Sequence, residues 1–140
     1  ESGRLPITDK RMTRFWITLQ QGVDFVMQSL GVMEGGEIFV PKIPSMHILD
    51  LAKAVAPGSK VEIRGIRPGE KLHEVLVSED ESHHTLEHEK FFVITPLHSW
   101  WRSGNWPNGQ PVPTGFRFSS DANTQWLSVD DLRALVDDIT

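Results

Sequence analysis

A chain of 140 residues with 39% hydrophobic and 24% charged side chains has the composition of one folded domain with a real core, which excludes an intrinsically disordered segment. Its formal net charge of −5, without a basic stripe, excludes a nucleic-acid-binding surface. No apolar run is long enough to cross a bilayer, and the lack of cysteine excludes disulfides and thiolate metal sites.

Charge is unevenly spread. Residues 1–71 carry ten Lys/Arg against eight Asp/Glu, and residues 72–140 carry four against eleven. The cations of the first half suit a small anionic ligand such as a pyrophosphate. The chain has no tyrosine, so it cannot by itself run a mechanism that needs one. Glu1-Ser2-Gly3-Arg4 lacks the pattern of a signal peptide, and a cysteine-free chain of this kind fits the cytoplasm.

Gly3 to Ile7 reads as a short strand or loop. Thr18-x-x-Gln21 is a capping box, and Leu19, Val23, Val26, Met27 and Leu30 follow at helical spacing, which predicts a helix with one buried face. Gly35-Gly36 ends that segment, and Glu37 to Val40 reads as a strand closed by Pro41 and Pro44. Ser45 is the expected N-cap of a second helix whose inner face is Ile48, Leu51, Ala52 and Val55, stopped by Pro57-Gly58. Lys60 to Ile66 alternates, with Val61 and Ile63 on one side and Glu62 and Arg64 on the other, as in a half-buried strand. Arg67-Pro68-Gly69-Glu70 has Pro and Gly where a type II turn requires them.

Leu72 to Val77 resumes an ordered apolar segment, and residues 78–89, acidic and rich in histidine, read as a surface loop or short helix. Phe91 to Thr95 is a further strand. Residues 96–127 hold four of the five tryptophans and four prolines in a long irregular stretch that is expected to wrap another surface. Ser128-x-x-Asp131 caps a last helix with Leu132, Leu135, Val136 and Ile139 on one face. The expected fold is a mixed α/β (α+β) arrangement, with residues 1–95 as a ligand-binding domain and 96–140 as a Trp/Pro-rich arm and C-terminal helix packed on it. No glycine-rich dinucleotide motif occurs, so no Rossmann domain is expected within this chain.

Three segments carry a resemblance: Ile7-Thr8-Asp9-Lys10-Arg11-Met12-Thr13-Arg14-Phe15-Trp16-Ile17, then Gly35 to Met46, then Gly65-Ile66-Arg67-Pro68-Gly69-Glu70-Lys71-Leu72-His73-Glu74. Together with Ser119-Ser120 and Gln125-Trp126-Leu127, they resemble the C-terminal part of the inverting UDP-N-acetylglucosamine 4,6-dehydratases of pseudaminic acid biosynthesis, in the extended short-chain dehydrogenase/reductase superfamily. The resemblance implies a sugar-nucleotide-binding domain. It further implies a separate N-terminal Rossmann domain that holds NADP and all catalytic groups. The reaction implied is oxidation at C4, loss of water across C5 and C6, and reduction at C6 with inversion at C5. No catalytic or cofactor-binding residue is therefore expected in this chain, which alone should be inactive. The product implied is a 4-keto-6-deoxy sugar nucleotide for a surface glycan such as that on flagellin.

The residues that the resemblance assigns to UDP-GlcNAc are Met12, Arg14, Arg67 and Glu70. A guanidinium meets phosphate through a planar fork, a carboxylate accepts from ribose hydroxyls, and methionine packs adaptably on a flat base. The alternatives are a core methionine, a solvated arginine and an exposed polar turn. Lys71 and His73 are weaker candidates, with His73 read as a structural histidine beside Glu74. His84-Thr85-Leu86-Glu87-His88 matches the inverted zinc-peptidase pattern, but a histidine-rich loop meets such a pattern by chance, and no metal is expected. Trp100, Trp101 and Trp106 are read as pinning the arm or meeting a partner subunit, and a homo-oligomer is expected. The competing readings are a capsule-type dehydratase/epimerase, a non-enzymatic binding or assembly module, and a metallohydrolase on His84 and His88.

Overall fold

The computed structural model describes residues 3–98, 101 and 106–138; Trp100 and Ile139 lie outside them. The elements in chain order are β1 (Arg4–Ile7), β2 (Thr13–Phe15), α1 (Leu19–Val32), β3 (Ile38–Pro41), β4 (Ser45–His47), α2 (Ile48–Val55), β5 (Lys60–Ile63) and β6 (Val75–Val77). A 3-10 turn (Asp80–His84), β7 (Thr85–Glu87), β8 (Phe91–Ile94), β9 (Gln110–Pro111), β10 (Phe118–Ser119) and α3 (Val129–Asp137) follow. This is the mixed α/β class expected from the sequence. By compactness the chain divides into two units, each made of separate stretches of sequence.

The first unit comprises Glu1–Trp16, Pro44–Glu74 and Ser119–Thr140. In it β1 runs parallel to β5, Ile7 opposite Ile63, and β2 runs antiparallel to β4, Arg14 opposite Met46. Its core is Met46, Ala54 and Leu132, with Trp16, Leu51, Leu127 and Val129 packed around them. Leu132 is fully buried because the Ser128 capping box, reciprocated by Asp131, starts α3 at the phase that turns it inward. On α2 the inner face contains Ala52 and Ala54, whereas Val55 is exposed, one position out of the phase expected. Ser45 does not cap α2: that place is taken by His47, without a side-chain cap bond. Ser45 is instead buried in β4, where its N–H donates to Gln125 O at 2.9 Å, its carbonyl accepts from Leu127 N at 2.8 Å, and its hydroxyl accepts from Asn123 Nδ2 at 3.0 Å. A serine offers the same local cap chemistry wherever it stands; the distant strand partner decided its use. The alternation expected in β5 is not a burial pattern either, since Val61 and Ile63 are both exposed.

The second unit comprises Ile17–Ile43 and Val75–Phe118. Its sheet has the order β3-β8-β7-β9, with β8 antiparallel to both β3 and β7. Phe92, Val93 and Ile94 are all buried on the central β8, with Val40 beside them. Phe92 packs against Phe116 and Phe118 at centroid distances of 5.2 and 5.1 Å. Within 96–127, the segment expected to lack structure, β9 joins β7 and Val112 is buried. Trp106 packs edge-on against Phe39 at 5.4 Å and donates from its indole to Glu37 Oε1 at 3.1 Å, so it pins the segment onto its own unit.

The helix α1 forms as the capping box predicts, Thr18 accepting from Gln21 N and Gln21 returning the bond. Its apolar stripe, however, is bare: Leu19 is 86% exposed, and Val23, Val26, Met27 and Leu30 lie between 48% and 65%. The helix meets its sheet on another line, through Phe25 set edge-on to Phe91 at 6.3 Å.

Candidate functional site: an arginine turn on two fixed stems

Arg67 to Glu70 is the sequence-predicted turn, and it lies wholly in the first unit. Glu70 N donates to Arg67 O at 3.0 Å and Gly69 has φ +86°, as a type II turn requires at that position. The Glu70 carboxylate accepts from Arg67 N at 2.9 Å, which ties the two ends of the turn a second time. All four residues are exposed. Open space surrounds Gly69 to 4 Å, so the turn is displayed rather than packed.

Both flanks of the turn are held. On the incoming side, Arg64 N donates to Ile7 O at 2.8 Å and Gly65 N to Thr8 O at 3.0 Å, extending the β1–β5 pairing. On the outgoing side, Arg14 grips the chain. Its Nη1 donates to Leu72 O at 3.2 Å and Thr13 O at 2.7 Å, its Nη2 to Lys71 O at 2.9 Å and to Met12 Sδ at 3.7 Å, and its Nε lies 3.5 Å from the Glu74 carboxylate. Three carbonyls spaced for a planar fork are a use of arginine that lysine cannot copy. Thr13 N adds a bond to Leu72 O at 3.2 Å.

Beneath this grip lies a chain of side chains. Thr13 Oγ1 is 2.8 Å from His73 Nδ1 and 2.7 Å from Ser120 Oγ. Ser120 Oγ accepts from Glu74 N at 2.9 Å, and Ser120 N donates to Glu74 O at 2.8 Å. Thr13 and Ser120 are almost completely buried, at 1% and 0% exposure. Neither was a candidate from the sequence. The visible signals were their places inside the first motif and in Ser119-Ser120, but nothing local says that they meet.

Among the assigned residues, Met12 is buried at 3% exposure, Arg14 is half-buried with its guanidinium engaged as described, and Arg67 and Glu70 are at the surface. Arg11 is committed elsewhere: its guanidinium clasps Asp9 at 2.9 Å and, chiefly through that bond, holds the Asp9 carboxyl down to about 2. His84 closes the 3-10 turn while His88 follows β7, so the two do not share a helical face, and among the described residues no group of three His, Cys, Asp or Glu is placed to hold a metal. His88 stacks on Phe91 at 5.0 Å; burial, then Lys42, lowers its pKa.

The arrangement can present a guanidinium, held by backbone geometry, to an anion of two or more oxygens. Residues 1–96 match the model of the polysaccharide biosynthesis protein family, and the chain belongs to that family. It is 49% identical over 139 residues to a UDP-N-acetylglucosamine 4,6-dehydratase (inverting) of Campylobacter jejuni subsp. jejuni serotype O:2, the match covering 94% of this chain and 42% of that protein. It is 36% identical over 98 residues to the capsular polysaccharide biosynthesis protein CapD of Staphylococcus aureus, covering 64% of this chain and 16% of that protein. Among solved structures, that of Pen from Bacillus thuringiensis superposes with a TM-score of 0.78 at 27% identity, over 100% of this chain and 41% of that one. The chain thus spans about two fifths of the length of the dehydratase it matches. Among the described residues no helix is long and apolar enough to cross a membrane.

Proposed function

We propose that this chain is the sugar-nucleotide-binding part of a UDP-N-acetylglucosamine 4,6-dehydratase of the C5-inverting type, a lyase of surface-glycan synthesis. The observation that carries this reading is the exposed Arg67–Glu70 turn held at both flanks, in a chain 49% identical to a protein of that name. Arg67 supplies the guanidinium to the UDP diphosphate and Glu70 accepts from the ribose. Met12 and Arg14 complete the site from beneath. In this reading NADP and the catalytic groups belong to the part of such a dehydratase that this chain does not match, in keeping with the lack of a glycine-rich dinucleotide motif in the sequence. The same proposal includes a homo-oligomer in the cytoplasm and a product used for pseudaminic acid, with flagellin glycans as the destination.

Calorimetric titration of the chain with UDP and with NADP tests this. UDP should bind weakly and NADP not at all, Arg67→Ala should abolish the UDP heat, and no 4-keto sugar should form. Tight NADP binding or turnover by the chain alone would overturn the reading.

A further inference from the structure

We infer that Thr13, His73 and Ser120, with Arg14 above them, are positioning residues that set the Arg67 turn in the geometry that receives the diphosphate. The inference rests on the proposed nucleotide site; it adds Thr13 and Ser120, which neither the sequence motifs nor the comparisons assign, and gives His73 and Arg14 a positioning role.

The Thr13 hydroxyl has one proton and two neighbours, His73 Nδ1 at 2.8 Å and Ser120 Oγ at 2.7 Å. Ser120 Oγ already accepts from Glu74 N. If His73 carried its proton on Nδ1, Thr13 would donate to Ser120 and the buried serine proton would have no acceptor among these groups. If Nδ1 is unprotonated, Ser120 donates to Thr13, Thr13 donates to His73, and every proton of the chain is used. The second arrangement is complete, and it fixes the imidazole as the Nε2–H tautomer. Buried groups of this kind strongly resist rearrangement, because any change leaves one unpaired.

The chain is attached to the turn at each following residue. Lys71 and Leu72 are held by their carbonyls to Arg14, His73 by its ring, and Glu74 by its N–H, carbonyl and carboxylate. By contrast, the bonds of the turn itself among the described residues are internal, Glu70 N to Arg67 O and Arg67 N to the Glu70 carboxylate. A displayed guanidinium keeps its aim only through its stems, and the outgoing stem is set by these four side chains. Arg14 here spends its donors on carbonyls and carboxylate, so its contribution passes through Arg67.

The experiment titrates the chain with UDP, well below the melting temperature of each variant, and compares Thr13→Val, Thr13→Ser, Ser120→Ala and Arg14→Lys. Thr13→Val keeps the shape and removes the hydroxyl; it and Ser120→Ala should weaken UDP binding about fivefold or more, the effect of one lost buried hydrogen bond. Thr13→Ser should restore it. Arg14→Lys keeps the charge but not the fork that holds the Lys71 and Leu72 carbonyls, and should weaken binding to a similar extent. A merely structural role would lower melting temperatures and leave affinity unchanged. UDP affinity within twofold of the parent in folded Thr13→Val and Ser120→Ala overturns the inference while the nucleotide site stands. Failure of the parent to bind UDP, with Arg67→Ala indistinguishable from it, overturns the nucleotide site and this inference with it.

Discussion

Gly69→Ala isolates the part of the site that is pure backbone. Gly69 sits at φ +86° in the type II turn, in the left-handed region that an L side chain enters at a cost of roughly 1–2 kcal/mol. No heavy atom would touch the added Cβ within 4 Å, so no steric term is added. The chain has two ways to respond. It can bear the strain, or flip the Pro68–Gly69 peptide into a type I turn, which relieves φ and reverses the direction of the central peptide's N–H and carbonyl. Because the turn is exposed and the residues flanking it are held independently, neither response reaches the core. For a chain of 140 residues a destabilisation of that size lowers the melting temperature by about 3–7 °C. Scanning calorimetry checks that number, and UDP titration reads whether the turn's backbone serves the ligand; a loss of at least about fivefold is expected, since the proposed diphosphate site is built on this turn. A fall of more than about 15 °C would show that the turn is part of the core, and an unchanged UDP affinity would show that its geometry does not serve the ligand; either refutes the reasoning.

Leu132→Ala should cost about 2–5 kcal/mol in urea unfolding, because a fully buried side chain at the centre of the first unit's core leaves a cavity. Ser128→Ala removes the hydroxyl that accepts from Asp131 N and should cost about 1 kcal/mol, read as a shift in urea midpoint with unchanged slope. For Glu37, burial alone would raise the pKa, but bonds from its own N–H, the Trp106 indole and the N–H groups of Gly35 and Glu34 together hold it below the ordinary 4.5. Its contribution is therefore present above pH 4.5 and lost as pH falls through the lower folded value. Glu37→Gln should flatten the acid limb of the melting-temperature profile below pH 4.5, and a parallel profile would deny the carboxylate that role.

What could be read from the chain divides by the range of the interaction. The boxes at Thr18 and Ser128 and the Arg67 turn are each closed within four residues, and their chemistry is written in those residues. Ser45 misled because its local offer as a cap is the same whether or not a distant strand claims it, and here the 123–127 segment does. Thr13 and Ser120 are 107 residues apart, and no pattern in either neighbourhood encodes their meeting. Arg14 shows the converse. Its type and motif marked it as important, but whether a guanidinium faces a ligand or three carbonyls is a tertiary fact. The proposed site was therefore legible as a set of segments, while the division of labour among its arginines was not.

The stripe on α1 is the largest departure from the pattern and carries its own consequence. Leu19, Val23, Val26, Met27 and Leu30 follow the spacing of a core-facing helix, yet each is roughly half exposed or more. Ile17, Val32 and Met33 nearby are exposed as well, and an apolar helix stripe left bare is the pattern of a surface that another element covers. A charge placed at Val26, which is 55% exposed, stays in water in this chain. Val26→Asp should thus change the stability of the chain by no more than about 0.5 kcal/mol. In a polypeptide of the length of the matched dehydratase, where this chain is about two fifths of the whole, the same aspartate should cost several times that if the stripe is covered, as an unpaired charge brought out of water does. Urea unfolding of the two proteins side by side reads the difference. Equal small losses in both would mean that the stripe stays open to solvent, and the helical pattern would then have lost its physical explanation.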